Sequence, residues 1–185
     1  MAVVAEKQAK RWTYEEYYRL DDDRRYEVIE GKLIDISPAP STWHQDWLGQ
    51  LGTRIYNFNE RRKLGRVYFT PVDVVFSEEN CMQPDIIFVA NENQGIIQFR
   101  AVFGAPDLAV ELISPSTGRR DKGVKKRLYE QFGVKEFWLG DPVTRELEVF
   151  TLQEGKYEPH CEAKKKGLIT SVVLRGFEFD LKDIK

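Results

Sequence analysis

The chain has 185 residues, enough for one domain with a sizeable core. Its 28 Lys and Arg stand against 30 Asp and Glu, a net charge of -2, which excludes a molecule coated in basic charge and leaves room for a local basic face. Two cysteines, Cys81 and Cys161, imply no disulfide framework and fit the reducing cytoplasm, the location expected for the chain.

Residues Met1 to Arg11 are interrupted by Glu6, Lys7 and Lys10, so they read as neither a signal peptide nor a membrane span, and a frayed end is expected. No repeat, low-complexity stretch or long linker follows, which predicts a single domain over residues 1–185. Thr13 with Glu16 is a capping box that opens a short helix over Tyr14 to Leu20. Two short strands, Arg25 to Glu30 and Lys32 to Ser37, hinge at Gly31. Trp47, Leu48, Leu51, Ile55 and Phe58 recur at helical spacing and predict a long helix from Thr42 to Lys63, in which Gly49 and Gly52 mark weak points or close packing. Val67 to Phe76 reads as one strand, and Asp85 to Val89, led by Pro84, as a strand buried on both faces.

Between Pro106 and Leu139 the pattern is strand (Asp107 to Ile113), helix (Arg119 to Phe132, closed by Gly133) and strand (Lys135 to Leu139). That spacing predicts a parallel crossover. From Glu146 onward the residues alternate in strand fashion around Glu154-Gly155. The fold class is therefore mixed α/β: a central mixed sheet flanked by helices, with extra antiparallel strands.

Glu111 is a charge inside the apolar strand Leu108 to Ile113, a costly placement unless it is paired or bound to a metal. Asp107 lies about 13 Å back along the same strand, too far to share one metal ion with it. Asp85 opens another buried strand, and adjacent strands lie only about 5 Å apart, so in suitable register Asp85 and Glu111 can chelate one hard cation. Asp121, Lys125 and Tyr129 form a helical stripe beside the apolar stripe of Val124, Leu128 and Phe132. Taken singly, these residues also fit a turn aspartate, a strand-end glutamate and a surface Asp-to-Lys pair.

Taken together they resemble the PD-(D/E)XK nucleases, and more closely the Uma-type endonucleases, a bacterial family long classed as a domain of unknown function. The resemblance lies in Tyr26-Glu27-Val28-Ile29-Glu30-Gly31, His44, Pro71-Val72-Asp73-Val74, Gln83-Pro84-Asp85, Gly104 to Ser116, Asp121 to Lys125, Tyr129 and Gly133 to Trp138. It implies a restriction-endonuclease-like core and metal-dependent hydrolysis of nucleic-acid phosphodiester bonds. Asp85, Glu111 and the Leu112 carbonyl would hold Mg²⁺, with Mn²⁺ as a substitute. Where the wider superfamily has lysine, two residues after the acidic strand residue, this chain has Ile113. The resemblance implies that Lys125 supplies that cation from the next helix and positions the attacking water.

Glu27 would be an outer acidic member of the site; its alternative is a pair with Arg24 or Arg25. His44 would contact phosphate or assist proton transfer, or simply cap its helix. Asp121 would orient Lys125, and Tyr129 would hydrogen-bond into the site or complete the core edge. Arg61, Arg62, Lys63 and Arg66, or Arg119, Arg120, Lys122 and Lys126, are candidates for phosphate contact or plain solvated faces, and Lys164-Lys165-Lys166 reads as a solvated run. The expected substrate is nucleic acid, DNA in the first instance, with no membrane role. Apolar C-terminal strands hint at a homodimer. The competing reading is a catalytically inactive nuclease fold kept for nucleic-acid binding or assembly. Hydrolysis of a sugar by paired carboxylates gives Lys125 no role.

Overall fold

In the computed structural model the described residues are 10–37, 40–113 and 118–185, with side chains left out for 118–122. Among them the order begins with α1 (Tyr14–Tyr18), β1 (Tyr26–Ile29), β2 (Lys32–Asp35) and α2 (Thr42–Arg62). It continues with β3 (Gly65–Phe69), β4 (Val74–Ser77), β5 (Asn80–Met82), β6 (Ile86–Ala90), β7 (Val102–Phe103), β8 (Leu108–Leu112) and α3 (Gly118–Phe132). It ends with β9 (Glu136–Asp141), β10 (Glu146–Gln153), β11 (Lys156–Lys164), β12 (Leu168–Thr170) and β13 (Glu178–Asp180). No helix among the described residues is long and apolar enough to cross a membrane.

Local chemistry explains the ends of these elements. The capping box forms, with Thr13 and Glu16 bonding each other's backbone. The β1–β2 turn is Glu30-Gly31, both at positive φ (52° and 75°), the two-residue geometry that suits a hairpin's twist. Ser41 caps α2 by accepting from the His44 amide. Gly52 does mark close packing: a Cβ there would lie 2.3 Å from the Phe69 ring. Arg11, placed by its sequence in the frayed segment, is instead ion-paired to Glu79.

One expected strand is two. Pro71 has no N–H to give a ladder, and the chain from Val67 to Phe76 breaks around it into β3 and β4, which join different sheets. The larger sheet has the order β11-β10-β9-β8-β6-β3, and the smaller β2-β1-β5-β4-β7. The predicted crossover is present, with β8 and β9 parallel on either side of α3, and β10–β11 form the C-terminal hairpin.

Because strand side chains alternate, the larger sheet offers two apolar faces. Ile86, Phe88, Leu108, Val110 and Leu112 pack on Trp47, Leu48, Leu51 and Ile55 of α2 and on the C-terminal residues Ile169, Leu174 and Phe177. Ile87, Val89, Ala109 and Phe137 pack on Leu128 and Tyr129 of α3 and on Ile29, Val74 and Met82 of the smaller sheet. Of the apolar C-terminal residues, Ile169, Leu174 and Phe177 are thus covered within the chain, whereas Leu168 and Val172 are exposed.

Candidate active site

β6 and β8 are antiparallel neighbours with Ile86 opposite Val110. Continued by one residue, that register sets Asp85 opposite Glu111, and the Asp85 amide donates to the Val110 carbonyl at 3.0 Å. The two residues therefore lie at the same end of the central strand pair.

Elements from both sides of the sheet close on this end. From α2, His44 Nε2 lies 3.1 and 3.2 Å from the two Asp85 carboxylate oxygens, and the Leu112 amide donates to Asp85 Oδ2 at 2.7 Å. From α3, the Lys125 ammonium reaches Glu111 at 3.0 and 3.1 Å and Glu27 of β1 at 2.7 Å. Tyr129, one turn further along α3, donates its hydroxyl to Glu111 Oε1 at 2.5 Å. The Gln83 amide donates to Glu27 Oε1 at 2.8 Å. His44 Nδ1 is buried without a hydrogen-bond partner among the described residues.

The electrostatics follow from crowding. Burial pushes the Glu111 carboxyl up to about 7; Glu27 and Asp85 add to the rise, while Lys125 and the Tyr129 hydroxyl oppose it. Burial alone would lower the Lys125 pKa, but Glu111 and Glu27 outweigh it and hold the ammonium charged. Burial, then the charges of Glu111 and Glu27, keep the Tyr129 phenol protonated.

Of the residues singled out in the sequence, Asp85, Glu111, Lys125, Glu27, His44 and Tyr129 converge. Glu27 takes Lys125 as its partner; Arg24 goes to Asp35 instead. The Leu112 amide is in the site. Asp121 falls among the side chains outside the described residues, as do Arg119, Arg120 and Lys122. Asp107 is structural: it ties Lys135, Asn93 and the Ala90 amide at the far end of β8. Lys126 turns away and lies over the Phe150 ring, 3.3 Å from its centre. Arg61, Arg62 and Lys63 end α2, about 25 Å from His44 in its first turn. There Arg62 stacks on Phe58 and Lys63 pairs with Glu60.

Sequence reasoning missed Gln83 as a site residue. Its amide side chain donates to Asp73 (2.9 Å) and to the Tyr17 hydroxyl (3.1 Å), and accepts from Arg25. The available signal was its place two residues before Asp85, which puts both on one face of an extended segment.

This is the nuclease-like α/β class, with a mixed sheet whose central strand end carries opposed carboxylates. The model of the Uma2 family, described as "Putative restriction endonuclease", matches residues 14–182, and the chain belongs to that family. A solved structure described as "a putative nuclease belonging to DUF820", from Anabaena variabilis ATCC 29413, is similar at 20% identity with a TM-score of 0.76. The match covers 93% of this chain and 96% of that one. No curated protein matches the chain.

Proposed function

We propose that the protein is a metal-dependent endonuclease that hydrolyses nucleic-acid phosphodiester bonds, with DNA as substrate. The observation that carries this is the charge balance of the site. Glu111 and Glu27 share the Lys125 ammonium, while Asp85 beside them is held by His44 and the Leu112 amide, so this cluster of buried carboxyl groups is short of positive charge. A hard divalent cation would supply it. We assign Asp85, Glu111 and the Leu112 carbonyl as its ligands. Among the described residues no three His, Cys, Asp or Glu side chains form a metal cage by themselves. One or two carboxylates completed by water and substrate oxygen is the usual Mg²⁺ set, and Mn²⁺ can replace it.

When bound, the ion would polarise the phosphate and acidify a water. Lys125 has its ammonium at Glu111, where it can orient the attacking water and offset charge on the phosphate. That cation does the work left undone at Ile113, which is why catalysis is favoured over the inactive binding module. Tyr129 fixes one Glu111 oxygen, and Glu27 anchors Lys125. His44 holds Asp85 through Nε2. Incubation of plasmid and single-stranded DNA with Mg²⁺ tests the proposal. Cutting by the parent and none by Asp85→Ala or Glu111→Ala is expected; equal cutting by both variants would place the activity elsewhere.

A further inference from the structure

Arg25 stands apart from the other arginines around the smaller sheet. Arg11, Arg24, Arg100 and Arg127 each face a carboxylate, on Glu79, Asp35, Glu15 and Glu30 respectively. Arg25 faces none among the described residues. Its Nε and Nη2 donate to the Gln83 side-chain oxygen at 3.2 and 3.0 Å, and Nη2 also donates to the Thr70 hydroxyl at 3.1 Å. All these acceptors are neutral, so no carboxylate among the described residues pairs with the guanidinium. A guanidinium has five N–H donors; the two on Nη1 make no bond within the described residues and are not enclosed.

The two residues that hold Arg25 also touch the carboxylate site. The Thr70 amide donates to the Asp85 carbonyl at 3.0 Å, and the Gln83 amide donates to Glu27. Gln83 is fixed in turn by Asp73 and Tyr17, so its oxygen can only face Arg25. Arg25 and Glu27 are two residues apart on one extended segment and project to the same side. A half-buried, oriented and unneutralised cation therefore sits at the rim of a site rich in negative charge. An acidic site repels a polyanion, and a rim cation offsets that repulsion.

We propose that Arg25 binds a backbone phosphate of the nucleic-acid strand next to the one being cleaved, and so positions the strand on the site. This rests on the endonuclease reading. A phosphate contact carries no base preference, so Arg25 sets affinity and register rather than sequence.

The test is binding of a fluorescent DNA duplex, with Ca²⁺ in place of Mg²⁺, over a range of salt concentration. Loss of one phosphate contact makes the slope of log K against log salt shallower by about 0.9. Arg25→Ala is expected to show that change with about tenfold weaker binding, and Arg61→Ala, at the far end of α2, is expected to match the parent. Arg25→Lys keeps the charge without the fork and is expected to keep the slope with weaker binding; it also serves if Arg25→Ala fails to fold. In cleavage, KM should rise far more than kcat falls. Parent-like slope and affinity in Arg25→Ala, or parent-like affinity in Arg25→Lys, would overturn the assignment while the endonuclease reading stood. A parent protein that neither binds nor cuts DNA would remove both.

Discussion

Glu111 and Glu27 share the Lys125 ammonium, and all three side chains are largely buried. Taking one member from a buried charge group leaves its partners uncompensated, at a cost of about 3–5 kcal/mol. Lys125→Ala is therefore expected to unfold at lower denaturant, to regain stability with Mg²⁺, and to lose cleavage. Lys126→Ala should cut nearly as the parent does, because its ammonium lies on Phe150. Lys125→Arg should also be impaired, since a planar guanidinium does not replace a compact charge.

Glu111 has a folded pKa of about 7 against 4.5 for an ordinary glutamate. The folded protein keeps a proton that the unfolded chain gives up across that window. Its contribution to stability therefore declines as pH rises through it and is level above. Metal binding needs the carboxylate, so Mg²⁺ affinity and cleavage should rise through the same window, with proton release on binding. Tyr129→Phe keeps the ring against Phe76 and Phe137 but loses the donor that lowers the Glu111 pKa. The midpoint of Mg²⁺ binding against pH is expected to move upward, and an unmoved midpoint would mean that the hydroxyl does not tune Glu111.

Among the elements, those read correctly had strong local signals: the capping box of α1, the apolar rows of α2 and the strand–helix–strand unit around α3. The single strand expected over Val67 to Phe76 failed because apolar residues stand on both sides of Thr70-Pro71, and Pro71, which cannot donate to a ladder, marks where it stops. The C-terminal strands were legible as strands but not by destination, since nothing local says what an apolar face will cover. Their anchor is Glu136 at the start of β9, wholly buried. It accepts from the Trp138 indole (2.6 Å), the Ser171 hydroxyl (2.7 Å) and the amides of Val172 (2.6 Å) and Val173 (2.9 Å). An ionised carboxylate only accepts, whereas an amide turns one donor group toward these donors. Glu136→Gln is expected to destabilise the fold by about 2–3 kcal/mol and to lower Tm by roughly 5–10 °C. Cleavage per folded molecule should remain near the parent level, because Glu136 lies at the opposite end of β9 from Gly140, the residue beside Leu112.

Across the whole molecule, the site exists because one sheet end is reached from both faces. α2 delivers His44 on one side; α3 and β1 deliver Lys125, Tyr129 and Glu27 on the other. Asp85 and Glu111 could be matched from the sequence because both open or interrupt apolar strands, and Lys125 because its stripe borders an apolar one. The Gln83 contacts could not be, since its partners Tyr17, Arg25 and Asp73 are scattered along the chain and meet only once it is folded. Of the basic runs, the one ending α2 lies far from the carboxylates, and Lys164 of the C-terminal run pairs with Glu146. The most direct measurement is calorimetric titration of Mg²⁺ into the parent, Asp85→Asn and Glu111→Gln proteins at a pH above the Glu111 midpoint. One saturable site in the parent, absent from both variants while their folds persist, is the expected result. No binding by the parent, or equal binding by all three, would contradict a metal centre on Asp85 and Glu111.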